Sequence, residues 1–395
     1  MSEETNELLT RGVANIIPNK DALEKVLKAD KKLNIYFGID PTATKIHLGH
    51  AVALRKLQKL AELGHNVTFL IGDFTALIGD TSDKDTERPV LTSQQIQENF
   101  QTYKNQAEKI LDFSLVTVKH NSEWLKKLTF EEIVKLCQHF SFGDFGSREL
   151  IRKRVNAHEH VGLHEALYPV MQGYDSYFLD TDIQLGGTDQ TFNMQAGRTL
   201  QKDLRGKESF VLANEFLTGT DGRKMSKSWG NAIWLDDNPN DMFGKVMSVK
   251  DDLIIEYFTL GTNVSIDEIK LIEQQLKTEN PIEIKKKLAF EIVKELNSED
   301  AALEAQKMFE QTVQKGELPE DIQTLEINAV EHLSISDLLV KAGLATSKSE
   351  AKRLVEQGGV QVNSEIVTNP TEKIIPENNM IVKAGKRNFV RIKIN

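Results

Sequence analysis

Residues 33–72 constrain the fold more than any other part of the chain. "LNIYFGI" (33–39) is a short β-prone run, and "NVTFLIG" (66–72) has the pattern of a buried strand. Between them, from Ala53, the apolar positions Ala53, Leu54, Leu57, Leu60 and Ala61 follow helical spacing. Arg55, Lys56, Lys59 and Glu62 fall on the other side, and Gly64 stops the helix. Strand, loop, helix and strand within about forty residues make a βαβ unit, which demands a parallel sheet with helical crossovers. Ligands of such sheets bind at the carboxyl ends of the strands. The loop before the helix is therefore the first place to look for chemistry.

Elsewhere the chain changes character. After about Leu235 successive helices are expected: "SIDE" (265–268) is a capping-box pattern, and "NPIE" (280–283) supplies an Asn cap followed by Pro. "AALEAQKMFEQTV" (301–313) continues in that style, and "QKGELPEDIQ" (314–323) reads as a linker. Beyond it, "SISDLLVKAGLA" and "SKSEAKRLVEQGG" predict two short helices, and "VQVN", "MIVKAG" and "FVRIKI" alternate like strands. A length of 395 residues suggests two or three domains at roughly 150 residues each.

Charge is uneven. The whole chain carries −10, yet Leu333 to Asn395 holds ten Lys/Arg against six Asp/Glu. The net charge argues against a general nucleic-acid coat, and a basic tail on an acidic body suggests that any RNA contact is concentrated at the end, although charge alone fits a solvated basic face as well or better. Cys137 is the only cysteine, so neither an internal disulfide nor a cysteine-based zinc site can form. The N-terminus, "MSEETNELLTRG", is acidic and polar, unlike a secretory signal, and no apolar run is long enough to span a bilayer. A cytoplasmic location is expected.

Two motifs carry chemistry. "HLGH" places His47 and His50 three residues apart at the start of the predicted helix, with Gly49 between them. A helix N-terminus attracts phosphate through its free N–H groups, and two imidazoles on one face add donors. Gly49 lets a flat base or ribose approach the backbone. "DGRKMSKS" (221–228) sets Lys224 and Lys227 three apart among Gly222 and serines, a loop able to close over polyphosphate. H-x-G-H early in a βαβ unit with K-M-S-K-S far downstream resembles the class I aminoacyl-tRNA synthetases. In that family the first motif stabilises the α-phosphoryl transition state of ATP, and the second acts on the β- and γ-phosphates.

"YFGIDPTATKIHLGH", "YPVMQGYDSYFLD" and "QLGGTDQTFNM" resemble the tyrosyl-tRNA synthetases, and the likeness runs along nearly the whole chain. It implies an α/β fold with three parts. These are a Rossmann-like catalytic domain over 1–228, a helical domain on the tRNA anticodon side over 229–325, and a small α+β RNA-binding domain over 333–395. The resemblance implies that Tyr36 and Asp175 hold the substrate phenol, and that Tyr168, Gln172 and Asp80 hold its ammonium group. It sets Gln190 by the carboxylate, with Asp40, Gly49, Gly187 and Asp189 near the adenosine. A phenol can donate to a carboxylate while accepting from a tyrosine hydroxyl. ATP with Mg²⁺, L-tyrosine and tRNA(Tyr) are the implied ligands, and a homodimer the implied assembly. A tryptophan enzyme of the same class is the nearest alternative, although indole offers no hydroxyl for Tyr36 and Asp175. A non-catalytic RNA-binding protein on the same scaffold is a second.

Two stretches depart from this pattern or add to it. "GDTSDK" (79–84) has Thr81 and Asp83 where the family often shows Pro and Gly, so Asp83 adds negative charge beside Lys84 and Arg88. "NAHEHVGLHEAL" holds His158, His160 and His164, but no carboxylate or cysteine spacing supports a site, and no zinc is expected. In the tail, "SKSEAKRLVEQGGVQVN" resembles the S-four type of RNA-binding domain. Lys348, Lys352 and Arg353 would meet tRNA phosphates from one helix face.

Overall fold

A computed structural model describes residues 3–29, 31–42, 44–80, 92–226, 229–314, 323–327, 333–385 and 388–394. Lys84, Arg88 and Lys227 lie outside the described residues. The chain divides into two compact units, 1–237 with 248–296, and 238–247 with 297–395.

The first unit is built on a six-stranded sheet. Its strands are β1 (Val13–Ile17), β2 (Asn34–Ile39), β3 (Asn66–Ile71), β4 (Val116–His120), β5 (Ile183–Gly187) and β6 (Phe210–Asn214), in the order β1-β6-β5-β2-β3-β4. Only β1 runs antiparallel, against β6. β2 and β3 pair parallel in the register Tyr36↔Thr68, as the βαβ pattern requires. The crossover helix, Leu48–Glu62, starts earlier than its apolar spacing suggests, because His47 itself is the N-cap. Leu48, Leu54, Leu57 and Leu60 are almost fully buried.

Chain direction along the sheet reverses between β2 and β5. The β2–β3 crossover moves one way and the β5–β6 crossover, through helix Thr191–Arg205, moves the other. Right-handed crossovers in opposite directions place their helices on opposite faces and leave a crevice where they part. β2 ends in Ile39, with Asp40 directly after it, and β5 ends in Gly187 at this crevice. Helices Ile254–Gly261, Ile266–Gln275 and Pro281–Leu296 belong to the same unit. Arg55 ties the crossover helix to them, donating to the Gly261 carbonyl at 2.7 Å and pairing with Glu295 at 3.2 Å.

In the second unit the tail has its own core. Ile335, Leu338, Leu339, Ala351, Val355, Val360, Val382, Val390 and Ile392 are buried together. The two predicted helices are Ile335–Lys341 and Lys348–Glu356, capped by Ser334 and Ser347, which accept from the Asp337 and Glu350 amides at 3.2 Å. The three predicted strands are Val360–Val362, Ile381–Ala384 and Asn388–Ile394. Gln323–Ile327 adds a further strand parallel to the last of these, and Ile327 enters the core.

Candidate active site

A cavity of about 410 Å³ opens at the crevice, lined from β2, β5, the His47 helix and the helix Leu163–Phe178. Tyr36, Asp40, His47, Gly49, His50, Asp80, Tyr168, Gln172, Asp175, Gly187, Asp189, Gln190 and Lys224 all line it. Residues more than 180 positions apart in sequence therefore share one space.

Its floor is a chain of polar contacts. Asp175, 2% exposed, accepts from Trp124 Nε1 at 2.7 Å and from Asn121 Nδ2 at 3.1 Å. The Asn121 amide also donates to Thr75 Oγ1 at 2.9 Å, and Thr75 donates onward to Asp40 Oδ1 at 2.8 Å. The Tyr168 hydroxyl completes the line, donating to Asp40 Oδ2 at 2.9 Å. Gly72 makes this possible, since a Cβ there would lie 1.9 Å from Asp40 Oδ1. Burial pushes the Asp175 carboxyl up to about 8, and the negative charges of Asp40 and Asp73 add to it. The donors Asn121 and Trp124 pull the other way and are outweighed.

Tyr36 stands beside this floor, 3% exposed, and donates its proton to Gln184 Oε1 at 3.1 Å. The amide cannot be reversed, because Gln184 Nε2 donates to the Met194 carbonyl at 2.9 Å and a carbonyl only accepts. Donation from Tyr36 to a ligand hydroxyl therefore requires it to turn away from Gln184. Opposite, Gln190 Nε2 donates to Asp80 Oδ2 at 2.7 Å, so the residues assigned to the carboxylate and ammonium ends hold one another. Tyr168, Gln172 and Asp175 come from one helix at spacings of four and three, which brings them to a common face.

The two sequence motifs meet at the other end. His47 forms an antiparallel bridge with Trp234, flanked by Leu48 N to Ile233 O at 2.8 Å and Leu235 N to Ile46 O at 2.9 Å. This clamps the first motif to the stretch just beyond the second. The His47 and His50 rings lie 3.9 Å apart, and His50 Nδ1 accepts from the His47 backbone N–H at 3.4 Å, which puts the His50 proton on Nε2. Burial, reinforced by His50 and Lys224, holds His47 well below the usual histidine range, so its imidazole is neutral at pH 7. Gly49 packs under it: a Cβ would stand 3.0 Å from His47 Nδ1.

Lys224 reaches Asp189 Oδ2 at 4.0 Å and lies over the Phe216 ring at 5.4 Å. Its loop is tied by Asn231, a residue without any motif to mark it in the sequence. The Asn231 amide accepts from Ser226 N at 2.9 Å and donates to Asp221 Oδ1 at 2.7 Å and to the Lys224 carbonyl at 3.2 Å. Gln184, Asn121, Trp124 and Thr75 likewise escape a reading of the sequence. Gln184 is on β5 and Thr75 opens the short helix Thr75–Ile78, while Trp124 and the N-cap Asn121 share the helix Ser122–Leu125; none has motif spacing, and only the fold gathers them.

The histidines of 156–167 stay apart from the cavity lining. His158 has a left-handed backbone, and the His160 carbonyl accepts from Arg154, which pairs with the buried Glu165 at 2.7 Å. Among the described residues no three His, Cys, Asp or Glu side chains are grouped to hold a metal ion. In the tail, Lys348, Lys352 and Arg353 are exposed on the helix Lys348–Glu356, and Lys348 pairs with Asp337 at 2.6 Å. Among the described residues no helix is long and apolar enough to cross a membrane.

Residues 28–314 match the family model of class I tRNA synthetases for tryptophan and tyrosine, and residues 335–377 match the S4 domain. The chain is 40% identical to the tyrosine–tRNA ligase of Thermotoga maritima, over 99% of this chain and 97% of that protein. It is 42% identical to the tyrosine–tRNA ligase of Dehalococcoides mccartyi, over 97% of each. A truncated mitochondrial tyrosyl-tRNA synthetase from Aspergillus nidulans shares the fold with a TM-score of 0.67 at 23% identity, covering 79% of this chain and 94% of that one. The Archaeoglobus fulgidus tyrosyl-tRNA synthetase complexed with L-tyrosine gives 0.60 at 22% identity, covering 77% and 99%.

Proposed function

Since this chain belongs to the class I tRNA synthetases for tryptophan and tyrosine and acts as a tyrosine–tRNA ligase, we propose that tyrosine and ATP react in the cavity between β2 and β5. The tyrosine carboxylate attacks the α-phosphorus, the bond to the β-phosphate oxygen breaks, and pyrophosphate leaves. A hydroxyl of the terminal tRNA ribose then attacks the carbonyl carbon of the adenylate, the anhydride bond to the phosphate oxygen breaks, and AMP leaves. The substrate brings its own nucleophile, so the protein's work is positioning and charge stabilisation. The observation that carries this reading is the convergence of His47, Lys224 and the buried Asp175 on one cavity.

The roles follow the chemistry of each group. Asp175 takes the substrate phenol, with Tyr36 beside it. Asp80, Tyr168 and Gln172 meet the ammonium, Gln190 the carboxylate. Asp40, Gly49, Gly187 and Asp189 border the adenosine, while His47, His50, Lys224 and Lys227 face the phosphates. Mg²⁺ would travel with the triphosphate. The cavity's carboxylates are the oxygen ligands it prefers. Asp40, Asp80, Asp175 and Asp189 each already engage a protein partner, so phosphates and water would supply most of its shell. Residues 1–228 carry the chemistry, 229–325 lie toward the anticodon side, and 333–395 grip tRNA(Tyr). The enzyme works in the cytoplasm as a homodimer. Phe130, Phe142, Val155 and Leu163 are exposed apolar residues of a single stretch and supply a surface for the second copy. Sedimentation at twice the chain mass tests that assembly.

Tyrosine-dependent exchange of labelled pyrophosphate into ATP tests the activity. Exchange with tryptophan instead would favour the other branch of the family, and no exchange would indicate a scaffold without catalysis.

Two expectations concern the phenol end. Phenol donation needs Asp175 as carboxylate, and burial pushes its carboxyl up to about 8. Tyrosine affinity without ATP should therefore rise on the order of tenfold from pH 6.5 to 8.5 and flatten above. Stability moves oppositely. The folded pKa lies above the ordinary value of 3.8, so the folded state keeps a proton that the unfolded state loses, and stability falls from about pH 4 to 8. Equilibrium dialysis across that range checks the affinity; a constant dissociation constant would refute the assignment.

Tyr36→Phe should lower discrimination against phenylalanine by about three- to tenfold, the worth of one neutral hydrogen bond. The ratio of kcat/KM for the two amino acids is the measurement, and an unchanged ratio would remove Tyr36 from specificity.

A further inference from the structure

Asn214, the last residue of β6, lines the cavity and is 2% exposed, yet neither its Oδ1 nor its Nδ2 has a hydrogen-bond partner. A buried amide with both ends unpaired costs free energy, and native structures keep few of them. Its direction follows from strand alternation. Val211 and Ala213 pack on Met194, on the face covered by helix Thr191–Arg205. Asn214 therefore points to the opposite face, where the β2–β3 crossover puts His47 and Gly49.

Its surroundings suit a flat ring. Asn214 stands opposite Gly187 in the β5–β6 register, and a Cβ on Gly187 would lie 2.9 Å from the Phe216 ring. Phe216 lines the same cavity and is 44% exposed, an aromatic face on which a base can stack. A bare glycine edge, an aromatic plane and an amide with donor and acceptor both unused stand together on one wall.

We propose that Asn214 reads the adenine of ATP. Nδ2 donates to a ring nitrogen, and Oδ1 accepts from the exocyclic 6-amino group, the pairing that asparagine makes with adenine elsewhere. This rests on the assignment of ATP to this cavity. Both amide atoms are buried, so the base reshapes that part of the wall as it enters.

Asn214→Leu keeps the size and removes both polar atoms. Its KM for ATP in tyrosine-dependent pyrophosphate exchange should rise about tenfold or more, with the tyrosine dissociation constant unchanged. Thermal stability should hold or increase, because the unpaired amide is gone. Wild-type enzyme should also prefer ATP to purine riboside triphosphate, which lacks the 6-amino group, and Asn214→Leu should lose that preference. A stable Asn214→Leu protein with an unaltered ATP KM, or an undiminished preference, would overturn the proposal. If leucine does not fold there, Asn214→Ser takes the same measurements. Absence of exchange in the wild type would instead strike the assignment of ATP to the cavity.

Discussion

His47→Ala and His50→Ala should each slow tyrosyl-adenylate formation by about 10²–10³-fold, the usual loss when one transition-state donor is removed. Tyrosine binding without ATP should change little. The imidazoles contact each other and His47 contacts Trp234, while the phenol end is built from Asp175, Trp124, Asn121, Tyr36 and Gln184. His47 is neutral, so it stabilises the developing charge as a dipole and hydrogen-bond donor, and His50 presents its Nε2–H. The helix N-terminus beneath them adds its own partial positive charge. Lys224→Ala and Lys227→Ala should depress the same step through the pyrophosphate, leaving affinity for a stable adenylate analogue nearly intact. Pre-steady-state adenylate kinetics beside tyrosine titrations make the check. Normal rates with weakened tyrosine binding would move the histidines out of the phosphate site.

Removal of the tail should leave tyrosine-dependent pyrophosphate exchange near wild type and cut tRNA charging severely. The sequence suggests ending the chain near Val330, after the linker at 314–323. The structure moves the cut. Gln323–Ile327 is a strand of the tail's own sheet, paired with Asn388–Ile394, and Ile327 belongs to its core. A chain ending near 330 would keep an unpaired, partly apolar strand, an aggregation hazard. Ending at Gln314 avoids it. In the full-length protein, joint replacement of Lys348, Lys352 and Arg353 by alanine should weaken tRNA binding. The slope of log affinity against log salt should shrink by up to about three, near one unit for each phosphate no longer neutralised. Lys348 should contribute least, because Asp337 already neutralises part of its charge. Exchange and charging measured on the same preparation decide the matter. If both fall together the tail is structural, and if neither falls it is dispensable; each result defeats a tRNA-binding role.

Much of this protein could be read without coordinates, because the signals are local. The spacing of Leu54, Leu57 and Leu60 dictates an amphipathic helix, and β2 and β3 flank it as their β-prone runs require. Ser265, Ser298, Ser334 and Ser347 cap their helices through bonds spanning three residues. The motifs around His47 and Lys224 are contiguous, so their chemistry is visible in the residues themselves. What only tertiary structure decided is how these pieces face one another. The bridge from His47 to Trp234, the line from Trp124 through Asp175, Asn121 and Thr75 to Asp40, and the hold of Gln184 on Tyr36 join residues far apart in sequence. Hydrogen bonds between distant strands and helices leave no period or spacing in the chain. Their partners are chosen by sheet order and register, and burial then raises the Asp175 pKa and lowers that of His47.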